Sequence, residues 1–128
     1  HTRFKCDWSS DVCSSDLNGR LPGQLDAQWR GGVDSVCLTG SVQIAHSLIL
    51  LHQAAQRPDY LATAKRLNGY VRRTVRLDGP LEQRGGVKGS FPVDGSYGRW
   101  EYLNWAAKFC IDSQLAEADL EGQRAPAA

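Results

Sequence analysis

The residues best suited to chemistry lie in a glycine-rich stretch in the second half of the chain. Asp94 and Glu101 supply two carboxyl groups seven residues apart, the pair that general acid and general base catalysis of glycosidic cleavage requires. Tyr97 and Trp100 have flat aromatic side chains on which a sugar ring can stack, and Arg99 offers a guanidinium group for an anionic substituent. This stretch therefore predicts a carbohydrate site with Asp94 and Glu101 as catalytic residues.

A purely structural interpretation of the same residues is also open. Asp94 can close a turn with Gly95, the aromatic side chains can separate packed helices, and Arg99 can pair with Glu101 or with a helix end. A structural role explains better why similar residues occur twice in the chain, because an active site needs its residues once.

Two stretches of the chain share one pattern: glycine, any residue, aliphatic, any residue, glycine, any residue, large apolar. The first is GRLPGQL, residues 19–25, and the second is GGVKGSF, residues 85–91, which lies 66 residues further on. Each is followed by an acidic residue, an aromatic residue and then a predicted buried helix. The candidate substrate-binding residues of the two copies are Asp26, Trp29, Tyr97, Arg99, Trp100 and Tyr102. The repeated unit is therefore a glycine-rich loop that leads into a helical hairpin.

Helical periodicity indicates the elements that position these loops. Apolar residues at 38, 42, 45 and 49, with a second row at 44, 48, 51 and 55, predict a helix covered on most sides. Pro58 and Asp59 then begin a second helix with a solvent-facing basic side, and the short connection makes the two an antiparallel hairpin. The stretch 78–102 holds six glycines and two prolines and is predicted to be a loop, and a third helix is predicted from about Asn104.

The beginning of the chain has a different character. The stretch DWSSDVCSSDL, residues 7–17, back-translates over its whole length to a sequence that resembles a widely used short-read sequencing adapter. Cys6 and Cys13 have neither the Cys-x-x-Cys spacing nor the neighbouring histidines of a closed metal site. We therefore predict that residues 1–17 are an adapter-derived artefact, that 18–121 form the folded part and that 122–128 are a disordered tail. On this interpretation the natural amino terminus and any localisation signal are missing.

Charge and hydropathy argue against several classes of partner. Lys and Arg number 15 against 14 Asp and Glu, and a net charge of +1 predicts no nucleic-acid partner. The longest apolar run is interrupted by His46, Ser47 and His52, so no membrane span is predicted. Cys37 and Cys110 have the apolar neighbours typical of buried structural thiols, and the spacing of His46 and His52 places them on different helix faces. We predict no metal and no cofactor.

The order of inner helix, outer helix and glycine-rich loop resembles the α/α-toroid superfamily, in which about six helical hairpins close a ring around a central cavity. The stretch DGSYGRW, residues 94–100, is similar to the Gln-Trp repeat of terpenoid cyclases, although Tyr97 stands where that repeat has tryptophan and no Asp-x-Asp-Asp motif is present. Residues 19–117 also resemble the C-terminal hairpins of toroid proteins found with bacterial polysaccharide genes, since CLTG and NWAAKF occupy helix starts. The resemblance implies an all-α fold, an incomplete toroid whose loops face the cavity.

Three functions for an intact parent protein follow from the loop residues and the resemblance. The first is action on, or binding of, carbohydrate or polysaccharide. The second is a terpenoid cyclase or prenyltransferase-like activity, and the third is a non-catalytic helical-repeat scaffold, which would leave the loop acids dispersed and exposed. Besides a carbohydrate ligand, the expected partners are missing upstream hairpins of the same chain, and the fragment alone is predicted to be inactive.

Overall fold

The computed structural model describes residues 18–124, which form three long helices joined by irregular segments. The helices are α1, Leu38–Ala55; α2, Pro58–Thr74; and α3, Asn104–Arg124. A 3₁₀ turn covers Leu81–Gln83, and two short strands, β1 at Val36–Cys37 and β2 at Ser90–Phe91, form an antiparallel pair. The predictions for residues 1–17 and 125–128 lie outside this described range.

The mostly helical class predicted from the sequence is confirmed. Strands in residues 18–124 are limited to β1 and β2, whose register pairs Val36 with Phe91 and Cys37 with Ser90. Two-residue strands are too short to show an alternating pattern, so the sequence did not predict them. None of the helices in the described range is long and apolar enough to cross a membrane.

Local signals set both ends of α1. Cys37 is extended and precedes the first turn, where its Sγ accepts a hydrogen bond from the Gly40 amide at 3.4 Å. Gln56 adopts a left-handed conformation with φ of 52°, and its amide donates to the His52 carbonyl at 2.8 Å. The first predicted apolar row is buried throughout, at Leu38, Val42, Ala45 and Ile49. The second row is not, because Leu51 is 50% exposed, so α1 is covered on one broad side only.

The α2 helix forms a hairpin with α1. Pro58 occupies its first turn, and Asp59 pairs with the guanidinium group of Arg57 at 2.7 Å. Only two residues separate the helices, which makes them antiparallel neighbours. The main core lies between these helices and consists of aliphatic side chains: Leu21, Ala45, Leu48, Ile49, Leu61, Ala64, Leu67 and Leu120. Arg72 and Arg73 are exposed, as the predicted basic side requires.

The α3 helix packs against both helices of the hairpin, and a buried polar cluster joins it to α2. The Asn68 side chain is fully buried, donates from Nδ2 to Glu117 Oε2 at 2.8 Å and to the Ser113 carbonyl at 3.2 Å, and accepts from Ser113 Oγ at 2.7 Å. Arg72 adds an ion pair to Glu117 at 3.3 Å. Among the apolar residues that indicated this helix, Ala106 and Cys110 are buried, whereas Leu115 is 59% exposed.

The end of α3 differs from the predicted boundary. The helix continues to Arg124, beyond the tail predicted from Gly122. Its last turns are held because Leu120 packs into the main core and Glu121 pairs with Lys65 at 2.9 Å.

The predicted 66-residue repeat has a structural counterpart. Gly19 and Gly85 both have left-handed backbone, with φ of 79° and 73°. The following helices begin at Leu38 and Asn104, which is the same separation. Left-handed backbone strongly favours glycine, so the first glycine of each copy is set by the turn it makes.

The two glycine loops, residues 19–35 and 85–101, are closed by equivalent hydrogen bonds. The Gly23 amide donates to the Ser35 carbonyl at 2.8 Å, and the Gly89 amide donates to the Glu101 carbonyl at 3.1 Å. The flanking β-bridges are also equivalent: Pro22 with Val36 and Lys88 with Tyr102. The loops differ in their middles, where the residues with positive φ are Trp29 in the first and Trp100 and Gly98 in the second.

Candidate functional site

An open groove lies beside the second glycine loop. Its volume is about 490 Å³. It is lined by aromatic, cationic and neutral side chains: Arg76, Gln83, Lys88, Phe91, Pro92, Val93, Trp100 and Tyr102. This lining contains no carboxylate.

Three irregular segments converge to form the groove. The first follows α2 and is tied to the loop by a hydrogen bond from the Gly85 amide to the Arg76 carbonyl at 2.8 Å. The second contains β2 and the cis peptide bond between Phe91 and Pro92. The third reaches the groove because the Trp100 amide donates to the Val93 carbonyl at 2.8 Å. Backbone hydrogen bonds thus fix the relative positions of the aromatic side chains.

Two cations lie at the groove: within residues 18–124, Lys88 has a backbone acceptor and Arg76 has one long ion pair. Lys88 Nζ donates to the Thr74 carbonyl at 3.2 Å and lies 5.8 Å from the ring centroid of Phe91. Arg76 Nε lies 3.6 Å from a carboxylate oxygen of Asp78, and both of these side chains are exposed. An exposed ion pair of this length is worth little, so the guanidinium group can contact a ligand anion without a large cost.

Only part of the predicted substrate-binding set lines the groove. Trp100 and Tyr102 do, and Trp100 is 67% exposed. Tyr97 does not; its hydroxyl accepts a hydrogen bond from Trp105 Nε1 at 3.0 Å, and its amide donates to Ser90 Oγ at 3.0 Å. Tyr97 therefore ties the second glycine loop to the start of α3 and to β2.

The predicted catalytic carboxylates lie outside the groove lining. Asp94 and Glu101 are both exposed, and neither side chain forms a hydrogen bond or an ion pair with another residue of the described range. The Arg99 side chain is exposed, and within residues 18–124 it makes no ion pair with Glu101. The turn at Gly95 is closed by its amide, which donates to the Pro92 carbonyl at 2.9 Å.

Asp26, in the first glycine loop, has a clear structural role. One carboxylate oxygen accepts from the amides of Gln28 and Arg30 at 2.8 and 2.9 Å, and the other accepts from Arg30 Nε at 2.8 Å. The hydrogen bond from the Arg30 amide contributes most to holding the pKa of Asp26 below its usual value, with further contributions from Gln28 and the guanidinium group, partly offset by desolvation. Trp29 completes this turn, because its amide donates to the Asp26 carbonyl at 2.9 Å.

The two cysteines of the described range have different surroundings. Cys37 is half-buried at the start of α1, whereas Cys110 is buried in α3. Burial raises the pKa of the Cys110 thiol, which makes it a poor nucleophile. Within residues 18–124, no three His, Cys, Asp or Glu side chains are grouped as metal ligands would be.

Sequence reasoning missed six residues that line the groove: Arg76, Gln83, Lys88, Phe91, Pro92 and Val93. They share no spacing that would have indicated a site. Lys88 and Phe91 are members of the repeat, and Phe91 is the second residue of β2.

Comparison of the chain with protein-family models, with curated proteins and with solved structures gave no match.

Proposed function

We propose that this protein binds an acidic carbohydrate in the groove beside the second glycine loop. The observation that carries the proposal is the composition of the lining, in which Phe91, Trp100 and Tyr102 supply aromatic faces and Arg76 and Lys88 supply positive charge. Aromatic faces suit the flat apolar side of a sugar ring, and a guanidinium group suits a carboxylate. A sugar acid offers both features.

Binding, rather than cleavage, is the activity that the groove supports best. Glycosidic cleavage requires two carboxyl groups at the scissile bond, and no carboxylate lines the groove. Asp94 and Glu101, which the sequence suggested for that role, are exposed and outside it. The turn-closing role of Asp26 further favours the scaffold hypothesis, in which the loop acids are dispersed.

We further propose that the chain represents hairpins of an incomplete α/α toroid. Support comes from the 66-residue repeat, whose two copies share the φ of the first glycine, the loop-closing hydrogen bond and the helix start. A unit that recurs in this manner is typical of architectures built by stacking neighbours.

The carbohydrate proposal is tested by isothermal titration calorimetry of the full chain with an oligogalacturonate and with a neutral oligosaccharide of equal length. We expect the acidic ligand to bind at least about ten-fold more tightly, a difference of about 1.4 kcal/mol. Trp100→Ala should weaken binding by a similar factor, since it removes the most exposed aromatic face of the groove.

Trp29→Ala is the matched control, because Trp29 is an exposed loop tryptophan with nearly the same positive φ that lies outside the groove lining. The affinity of the Trp29→Ala variant for the oligogalacturonate should stay within about two-fold of that of the parent chain. Equal affinity for the two oligosaccharides, or equal losses in the two tryptophan variants, would refute the proposal.

A further inference from the structure

A second cavity, here called the aliphatic pocket, lies on the first copy of the repeat. Its volume is about 290 Å³. The lining is almost entirely apolar: Leu21, Pro22, Gly23, Leu25, Cys37, Gly40, Ser41 and Ile44. No side chain in residues 18–124 fills it, and it is separate from the groove.

The second copy of the repeat shows what covers such a surface. A shift of 66 residues converts the pocket lining into Val87, Lys88, Gly89, Phe91, Leu103, Ala106, Ala107 and Cys110, of which Lys88 and Phe91 line the groove. Four of these residues, Val87, Leu103, Ala106 and Cys110, belong to one core cluster. All four are buried, with exposures of 5, 7, 0 and 7%. The part of the equivalent surface that these four residues form is therefore closed in the second copy, whereas the aliphatic pocket is open in the first.

The cover in the second copy is the strand and helix start of the first. Val36, Leu38 and Val42 belong to the same buried cluster as Val87 and Ala106. The Leu38 amide also donates to the Gly89 carbonyl at 3.0 Å, and Val36 pairs with Phe91 across β1 and β2. Side chains from an extended residue pair and the first turns of a helix thus seal the surface.

We infer that the aliphatic pocket is a docking site for a strand–helix segment of the same type as residues 36–42. The segment would be extended for two residues and then helical, with aliphatic side chains at three positions that correspond to Val36, Leu38 and Val42. The Gly23 carbonyl corresponds to the Gly89 carbonyl as the acceptor for its backbone. A segment of this type already forms the interface between the two copies, which supports it as the occupant of the aliphatic pocket.

A second copy of this chain is a poorer occupant. In the same arrangement it would present the equivalents of Val36, Leu38 and Val42, which are Tyr102, Asn104 and Lys108. Burying an amide and an ammonium group against an aliphatic lining costs free energy that no partner in the pocket offsets. The occupant is therefore a separate segment with aliphatic side chains at these positions.

The test uses the full chain and a synthetic peptide of residues 34–50 that carries Cys37→Ser. The matched control peptide has, in addition, Val36→Asp, Leu38→Asp and Val42→Asp. We expect saturable binding of the first peptide by fluorescence anisotropy and binding of the control at least about ten-fold weaker. In the chain, Ile44→Glu should reduce affinity by a similar factor, while Leu50→Glu, on the same helix but outside the pocket, should not.

Cys37 supplies a measurement that needs no variant. It lines the aliphatic pocket, so saturating peptide should slow its alkylation by at least about five-fold, while the buried Cys110 serves as the internal reference in peptide mapping. Unchanged Cys37 alkylation at saturating peptide, or equal affinity for the two peptides, would overturn the inference. Concentration-dependent dimerisation of the chain that is lost in Ile44→Glu would also overturn it, by making a second copy the occupant.

Discussion

Removing the Asn68 side chain should weaken the contact between α2 and α3 and lower the free energy of unfolding. Asn68→Ala deletes three hydrogen bonds, two donated from Nδ2 to Glu117 and Ser113 and one accepted from Ser113 Oγ. Glu117 and Ser113 are both buried, at 7 and 0% exposure, so the carboxylate and the hydroxyl would be left without this partner. The loss in free energy of unfolding then comes from two buried polar groups that lack this hydrogen-bond partner, as well as from the missing side chain.

The expected magnitude follows from those two groups. A buried polar group without a partner costs about 1–3 kcal/mol, and Arg72 still contacts Glu117 at 3.3 Å, so the loss should be about 3 kcal/mol. Small domains are stable by about 5–15 kcal/mol, which makes this a large fraction of the total. With an m-value of about 1–2 kcal/mol/M, the urea midpoint should fall by about 2 M.

The assay is urea unfolding followed by far-UV circular dichroism. Gln43→Ala is the matched control, because Gln43 is exposed on α1, and its free energy of unfolding should change by less than about 0.5 kcal/mol. The double variant Asn68→Ala/Glu117→Ala should cost less than the sum of the single variants by at least about 1 kcal/mol. Additive costs, or an Asn68→Ala variant as stable as the control, would refute the reasoning.

Two further predictions concern the glycine loops. Gly89→Ala should lower stability by about 1–3 kcal/mol in thermal melts, because a Cβ would lie 2.6 Å from the Tyr97 carbonyl oxygen and 2.9 Å from Gly98 Cα. Gly122→Ala, where a Cβ meets nothing within 4 Å, should instead raise stability by up to about 1 kcal/mol, and equal melting temperatures would contradict the loop packing. Asp26→Asn should be less stable than the parent chain at about pH 7, because the folded state holds the pKa of Asp26 below its usual value and the ionised carboxylate therefore stabilises the fold. This stabilisation is lost as the pH falls through the pKa of Asp26 in the folded state, so the two chains should become equally stable towards about pH 2. A difference that did not change with pH would show that the carboxylate charge contributes nothing to the turn.

The helices and the repeat are the parts of the fold that the sequence predicts well. The buried row of α1, from Leu38 to Ile49, repeats at helical spacing because those side chains face one continuous core. The repeat is recognisable because Gly19 and Gly85 occupy left-handed backbone, where other residues are strained. Both patterns are local consequences of backbone geometry, so they are visible in a single chain.

The groove and the polar contact between α2 and α3 could not be predicted, because neither is a local consequence of backbone geometry. The groove depends on which irregular segments meet, and that is set by a two-residue strand and by the bridge between Lys88 and Tyr102. The polar contact of α3 with α2 is made by Ser113 and Glu117, whose partners lie on α2, so apolar periodicity does not reveal it. In each case the information lies in contacts between residues distant in sequence.

The polar contact between α2 and α3 also has a consequence for the order of folding. The α1–α2 hairpin is joined by two residues, whereas the hydrogen bonds from Asn68 span 45 and 49 residues. Local contacts close small loops and form quickly, while distant ones carry a larger entropic cost. We therefore expect the hairpin to form first and α3 to dock onto it last. Amide hydrogen exchange should accordingly be faster along α3 than at the centre of α1. The helix of the second copy, α3, is then the first helix to open in the folded protein.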